Sequence, residues 1–285
     1  MALRIFTNLP SLNSQRHLEL NRLELGIRIT RIASGIRLTK SSDDSAALSI
    51  SESLRSDVAA LKQGARNLND GLAMINTSEG ALAESSSILI RLRELASQAA
   101  TGTIGQTERT TLNLEFLALI KEMDRISATT EFNGQKLVDG SLAANVGANA
   151  TLVLQVGINS EEANRINLNQ ELNLTEVSSR ALGLDDERIS TEAGALRAMD
   201  ALSSAVDELI SIRGRVGAVQ NRLARAINLL NDTIEGLTQA VSTIRDADLA
   251  EEIAALTKGQ ILVQAAAAMV GQANLIPQSV LTLLQ

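Results

Sequence analysis

Two stretches of this chain repeat apolar residues at alternating steps of three and four, over far more turns than an ordinary helix needs. The first runs Leu54, Val58, Leu61, Ala65, Leu68, Leu72, Ile75, Glu79, Leu82, Ser86, Leu89. The second runs Met199, Leu202, Val206, Leu209, Arg213, Val216, Gln220, Leu223, Ile227, Leu230, Ile234, Leu237, Val241, Ile244. Such spacing is the seam of a coiled coil. Only Glu79 and Ser86 interrupt the first stripe, and only Arg213 and Gln220 the second. A globular helix averages about 11–12 residues, whereas each stripe requires roughly 50, or about 75–80 Å at 1.5 Å per residue. Helices of that length build and span more readily than they enclose a substrate.

Composition supports the same class. The chain is 45% hydrophobic, yet its aromatics are only Phe6, Phe116 and Phe132, with no Trp or Tyr. Its apolar content is therefore the Ala, Leu, Ile and Val of helix seams, without the aromatic anchors of binding hot spots. Pro10 and Pro277 lie near the two ends, leaving the interior free of helix breakers. A net charge of −7 with almost no base-stacking side chains argues against nucleic-acid binding.

Chemistry has few footholds. There is no Cys, so disulfides and thiolate zinc sites are excluded, and His17 is the single histidine. No Ser/His/Asp arrangement is supported and no Gly-rich phosphate loop is present. The acidic clusters Asp43-Asp44, Asp185-Asp186-Glu187 and Asp246/Asp248 lack calcium-loop spacing and read as helix starts. Neither a metal, a cofactor nor a catalytic residue is expected. The N-terminus lacks the apolar core of a secretory signal. The C-terminal apolar run, Ile261 to Gly271, contains Gln264 and is too short to cross a bilayer. Asn-x-Ser/Thr triplets at Asn76, Asn149, Asn173 and Asn231 read as chance occurrences.

The ends of the chain carry a different pattern. Residues 12–38 read as a helix with two opposed apolar faces: Leu18, Leu25, Ile29, Ile32 and Ile36 on one, Leu20, Leu23, Ile27 and Leu38 on the other. Residues 249–276 repeat it, with Leu249, Ile253, Leu256, Val263, Ala267 and Val270 against Leu262, Ala265, Met269 and Ile276. Pairing these helices once hides one face of each and leaves the others exposed, which marks an association surface. Completion by other copies of the chain is the expectation; docking on the chain's own central helices is the plainer alternative. Polar joints, Lys40–Ser45 and Arg245–Asp248, separate the ends from the central stripes. Between the stripes, Leu112, Phe116, Leu119, Met123 and Ile126 predict a third helix after a turn at Gly102–Gly105. Then Leu152, Leu154 and Val156 alternate with Thr151, Val153 and Gln155. With Ile166 and Leu168 around Asn167, and turn signals at Asn133-Gly134, Asp139-Gly140 and Gly157, this predicts a small β element.

Specific motifs add a resemblance over nearly the whole length. TNLPSLNSQRHL, RIASGIRLTKSSDDSAALSIS, NLNDGLAMINTSEGALAE, RLRELASQAATGT and EFNGQKLVDG in the first half are similar to those of bacterial flagellins. So are ALGLDDERIST, GAVQNRLARAINLL, RDADLAEEIAALTKGQIL and QANLIPQSVLTLL in the second. Departures are mild: Ala47 stands where Gly is usual, His17 where Asn is common, and the variable outer region is nearly absent.

The resemblance implies a mainly α fold. It would comprise a long antiparallel coiled-coil rod over residues 45–244, a β-hairpin region at about 131–182, and inner-core helices over 1–44 and 245–285 forming a second coiled coil. It implies a structural, non-enzymatic subunit that self-assembles into the flagellar filament for motility, its terminal helices folding on polymerisation. Export through the flagellar type III channel would place it in the extracellular filament. Hook-associated and cap proteins and an export chaperone would be partners, with no membrane insertion. The inner-core assembly residues would be Leu18, Leu20, Leu23, Leu25, Ile27, Ile29, Ile32 and Ile36 with Ile253, Leu256, Leu262, Val263, Met269 and Val270. Arg91, Leu95 and Glu115 match a patch that a host Toll-like receptor recognises in many flagellins, and also read as subunit contacts. A hook–filament junction protein is the rival within the same structural class; an unrelated helical scaffold or an enzyme are rivals from others.

Overall fold

The computed structural model describes residues 8–147 and 151–282, with side chains of the last helix through Leu275. Phe6, Asn149 and the side chain of Ile276 lie outside the described residues. In chain order the elements are α1 (Leu9–Ser34), α2 (Ser45–Ala100), α3 (Gln106–Thr129), β1 (Glu131–Phe132), β2 (Gln135–Lys136), β3 (Val153–Gln155), β4 (Arg165–Asn167), α4 (Leu168–Leu172), α5 (Glu192–Arg245) and α6 (Leu249–Thr282). The chain divides into two units, one of Met1–Ser56 with Gly236–Gln285, the other of Asp57–Glu235. The fold is mainly α, with two long helices of 56 and 54 residues and small antiparallel strand pairs.

In the unit of residues 57–235, burial follows a strict heptad. On α2 the buried positions are Leu61, Gly64, Leu68, Gly71, Ile75, Ser78, Leu82, Ser85, Leu89, Leu92, Ala96 and Ala99, with Met74, Ile88 and Leu95 buried beside them. On α5 they are Ala195, Ala198, Leu202, Ala205, Leu209, Ile212, Val216, Val219, Leu223 and Leu230, with Gly194 buried at the helix start. One column of each stripe read from the sequence is therefore the buried one. The other column is displaced by one residue. Ala65, Leu72, Glu79 and Ser86, like Val206, Arg213 and Gln220, flank the seam half-buried; beside them on α2 the buried positions are the small Gly64, Gly71, Ser78 and Ser85, whereas on α5 they are Ala205, Ile212 and Val219. Small side chains let helices and strands approach closely, which hydrophobicity alone does not weigh. The flanking polar groups meet each other: Arg213 donates to Glu79 at 2.6 Å, and Gln220 donates to Asn76 at 3.0 Å. Residue numbers rise on one helix as they fall on the other, so α2 and α5 run antiparallel.

The third helix buries Phe116, Ile120, Met123 and Ile126. Its hydrogen bonds to the preceding turn, Arg109 Nε to the Ala99 carbonyl at 2.8 Å among them, close the α2–α3 connection. At Asn133-Gly134 both residues have positive φ, 50° and 78°, the two-residue turn that a tight hairpin requires. Strands β3 and β4 pair antiparallel with Leu154 opposite Ile166. This pair lies on α2: a Cβ at Gly64 would run into the Val156 carbonyl, and one at Gly71 into the Leu154 side chain. Asn67 donates to the Gln155 carbonyl at 2.9 Å. Asn169, buried, ties the turn together by donating to the Ser141 carbonyl and accepting from the Leu152 amide.

In the other unit, α1 stops earlier than the predicted 38. Gly35 takes φ 69° and ends the helix at Ser34, so Ile36 and Leu38 are not on its faces; Leu38 is buried beyond it. Asp44 accepts from the Ala47 amide at 2.9 Å and Asp248 from the Ala250 amide at 2.9 Å, the helix-start role expected of those acids. Asp185-Asp186-Glu187 is different: it sits in a turn, and Thr191 caps α5 through the Gly194 amide at 3.1 Å. The stretch Leu249–Leu275 of α6 is long and apolar enough, by length and composition, to cross a membrane, with a mean hydropathy of 1.4. An uninterrupted apolar run was too narrow a test, because isolated polar residues barely lower the average over a whole helix.

The two units predict different responses to truncation. Leu82→Ala, at a fully buried seam position, is expected to cost about 2–5 kcal/mol, whereas Leu23→Ala on exposed α1 leaves stability nearly unchanged. Urea unfolding followed by circular dichroism measures both.

Candidate assembly interface

Helices α1 and α6 lie antiparallel within their unit and share a thin seam. Along α1 the residues withdrawn from solvent at three–four steps are Ser11, Ser14, Leu18, Asn21, Leu25, Arg28 and Ile32. Along α6 they are Glu252, Leu256, Gly259, Val263, Ala266, Val270 and Ala273. Each helix thus offers one aliphatic column, Leu18/Leu25/Ile32 and Leu256/Val263/Val270. The second column is polar on α1 and mostly small on α6. Among the described residues of the two helices only Ser11, Glu252 and Ala273 are fully buried. No large aliphatic side chain is.

Polar contacts sit at both ends of the seam. Arg28 donates to Glu252 at 2.9 Å, and Arg31 reaches its other oxygen at 3.5 Å. The Glu252 side chain is only 7% exposed. Its hydrogen bond raises the Arg28 guanidinium pKa, against the opposing effect of burial. At the far end Asn8 donates to the Ala273 carbonyl at 2.8 Å, and the Ser11 hydroxyl donates to Asn274 Oδ1 at 2.6 Å. Midway, Gly259 faces Leu25, with room for no more than a tight Cβ contact. The cleft beside it, about 180 Å³ and lined by Asn21, Glu24, Arg28 and Lys258, holds a side chain rather than a drug-sized ligand.

The outward faces are apolar. Leu20, Leu23, Ile27 and Ile29 on α1 are exposed, as are Ile253, Ile261, Leu262 and Met269 on α6. Leu23 at 62% and Met269 at 60% are as open as residues on an uncovered helix. Most residues singled out in the sequence fall into the two groups anticipated. Ile29, Leu249, Ile253 and Ala267 are exceptions, since they are exposed rather than in the seam. Ile36 pairs instead with Asp246 in a β-bridge. Leu9, Leu12, Ile261 and Leu275 are exposed too and were not singled out; the three–four spacing of the outward face could have identified them.

The bridge belongs to a joint where both helical breaks meet. Arg37 N donates to the Arg245 carbonyl at 2.7 Å, and Ala247 N donates to the Gly35 carbonyl at 3.0 Å. The Arg37 guanidinium holds the Ile244 carbonyl at 2.8 Å, and Arg245 pairs with Glu52 at 2.7 Å. Asp43 accepts from the amides of Thr39 and Lys40, each at 3.1 Å. The bond from the Lys40 amide, foremost, holds its carboxyl below the usual range. Glu52 is lowered likewise, chiefly by its hydrogen bond from Arg55.

In the other unit, Arg91 donates to Glu115 at 2.7 Å and to Glu94 at 3.0 Å, and these bonds raise its pKa, Glu115 foremost. Leu95 is buried. Of the three patch residues only Arg91 and Glu115 therefore present atoms to an outside partner. Among the described residues no group of three or more His, Asp or Glu is placed to hold a metal ion.

Comparison with known proteins places this geometry. Residues 5–143 match the family model of the bacterial flagellin N-terminal helical region, and residues 199–284 that of the C-terminal helical region. Flagellin of Halalkalibacterium halodurans is 40% identical over 98% of both chains. Flagellin of Bacillus subtilis is 36% identical over 99% of this chain and all of that one. The solved structure of a flagellar hook-associated protein from Vibrio parahaemolyticus, 13% identical with a TM-score of 0.57, covers 72% of this chain and all of that one. It shares the fold alone.

The joint makes two expectations. Gly35→Ala forces a Cβ into left-handed backbone and is expected to cost about 1 kcal/mol, read by thermal unfolding. Because Asp43 and Glu52 titrate low, what they contribute is full above ordinary carboxylate pKa values and is lost as pH falls through their depressed ones. Acid titration of the helical signal is expected to become less steep in an Asp43→Asn, Glu52→Gln variant.

Proposed function

The chain belongs to the bacterial flagellin family and is a structural subunit of the flagellar filament, and on that premise we propose that its paired terminal helices are the polymerising element. Neighbouring copies cover the outward faces of α1 and α6 with the same faces of their own helices. One observation carries this reading: two helices totalling some 60 residues leave at least eight large aliphatic side chains open and, among the described residues, bury none. Covering each contributes about 1.5–3 kcal/mol, and a filament covers them on every copy. A lone pair with so thin a seam has little to offset the conformational entropy of ordering it. The terminal helices accordingly order on polymerisation. Residues 1–44 and 245–285 form the inner-core segment, and residues 45–244 the rod.

The membrane-compatible length of α6 is read the same way, as an assembly face. Its seam is occupied by α1, and its carboxylate Glu252 is paired to two arginines, so the helix is built to meet protein. The filament is extracellular, the subunit reaching it by flagellar export with a chaperone, and hook-associated and cap proteins bound its ends. The chain performs no catalysis. The junction-protein alternative is not favoured, because relatives matching nearly end to end are flagellins. Arg91 and Glu115 form the exposed part of a surface for a host Toll-like receptor, a role compatible with contacts between copies. A reporter-cell assay with soluble monomer tests that part, and silence would remove it.

Assembly itself is tested by electron microscopy after seeded polymerisation. Leu23→Glu combined with Met269→Glu is expected to abolish filaments while the helical signal of residues 57–235 survives. Deleting roughly residues 1–40 and 249–285 is expected to leave a helical monomer. Filaments from either would overturn the proposal.

A further inference from the structure

The aliphatic columns that join α1 to α6 do not by themselves define how the two helices are staggered. Leu18, Leu25 and Ile32 recur every seven residues, and so do Leu256, Val263 and Val270. Sliding one helix by a heptad replaces each aliphatic neighbour by another of nearly the same size, and only the terminal rung is lost. The small column of α6, Gly259, Ala266 and Ala273, is equally indifferent to what lies opposite. A polar group buried in such a seam breaks this degeneracy, since a wrong stagger strands it without a partner.

We propose that Glu252 is the register key of the terminal helix pair, fixing its stagger through Arg28 and Arg31 so that the outward faces stand at the heights that assembly needs. This deepens the assembly reading and rests on it. In the observed register Glu252 accepts from both arginines while 7% exposed. A slip of one heptad in one direction sets Arg28 beside Gly259; in the other it sets Glu252 beside Asn21. Either slip leaves the carboxylate without its two cations in a seam that water barely reaches, which costs more than a weakly specific aliphatic column regains. The amide and hydroxyl contacts of Asn8 and Ser11 at the far end are consistent with the same stagger. They involve a main-chain carbonyl and an exposed asparagine, and a shifted helix offers similar acceptors. The charge cluster has no such substitute among the described residues of α6, whose other seam positions are uncharged.

The outward faces make the stagger matter. Leu20, Leu23 and Ile27 on α1 must lie level with their counterparts on α6 for one neighbouring copy to engage both. A heptad slip moves one face by about 10 Å along the other at 1.5 Å per residue, enough to break a repeating contact.

The test uses the full chain, whose lack of cysteine makes every disulfide a chosen one. Leu25→Cys with Gly259→Cys reports the observed register, and Leu25→Cys with Ala266→Cys the slipped one. Each pair is placed in the unaltered background and in Glu252→Ala. It is also placed in the reversal Glu252→Arg with Arg28→Glu and Arg31→Glu. Crosslinking is scored in the cysteine pairs, and filament formation in the same backgrounds without cysteines. In the unaltered background only the 25–259 crosslink is expected, with filaments. Glu252→Ala is expected to lose filaments and to gain the 25–266 crosslink. The reversal is expected to restore both filaments and the 25–259 crosslink. Filaments from Glu252→Ala with the 25–259 crosslink alone would overturn the register proposal and leave the assembly reading standing. So would failure of the reversal to restore the crosslink. Failure of the chain without substitutions to polymerise would overturn the assembly reading, and this proposal with it.

Discussion

Close approach between backbones is the constraint on which residues 57–235 depend. From Leu61 to Ser85 the buried positions of the α2 seam alternate large aliphatic residues with Gly and Ser, facing an α5 column that is large from Leu209 to Leu230, and the small ones set the spacing. At Gly64 and Gly71 this allows β3 and its following residues to lie directly on the helix surface. The large residues then close the seam above and below. A seam of uniformly large side chains would hold the helices apart and leave the hairpin without a seat. Buried serines fit this arrangement because their hydroxyls return to their own helix: Ser78 donates to the Met74 carbonyl and Ser85 to that of Ala81. They occupy little volume and leave no hydrogen bond unmade.

The terminal helices keep the same periodicity and omit half of its substance. Their second column is polar on α1 and nearly empty of bulk on α6, so the seam aligns two helices without enclosing a core. What remains is a surface whose apolar side chains are distributed around each helix rather than gathered on one stripe. Such a surface is suited to several neighbours at once. The polar contacts at its ends give direction to an attraction that would otherwise have little.

Much of this was legible in the sequence, for reasons tied to particular residues. The lengths of α2 and α5 followed from seams that never break, and the Asn133-Gly134 turn from the backbone freedom of those two residues. The paired strands followed from the alternation around Leu154 and Ile166, and the double-faced ends from aliphatic residues at non-seam positions. What was misread shares one cause. Scanning for hydrophobicity selects Leu72 over Gly71 and Ala65 over Gly64, although the glycines are buried and the other two only half-buried. The end of α1 was placed too late because Leu38 continues the apolar pattern, whereas a left-handed Gly35 terminates the helix regardless. The partners of Glu252 could not be read at all, since the pairing of two segments more than 200 residues apart is a tertiary property.

The joint between the helical breaks has a further consequence. Its closest ties run from amide to carbonyl, Arg37 to Arg245 and Ala247 to Gly35, and such groups are the same whatever side chain they carry. Exchanges of side chain at 37, 245 and 247 can therefore leave the clasp shut. Only a residue that surrenders its own amide, proline at 37 or 247, would open the main-chain clasp directly. Away from the left-handed Gly35, conformation at this point is stored in the backbone.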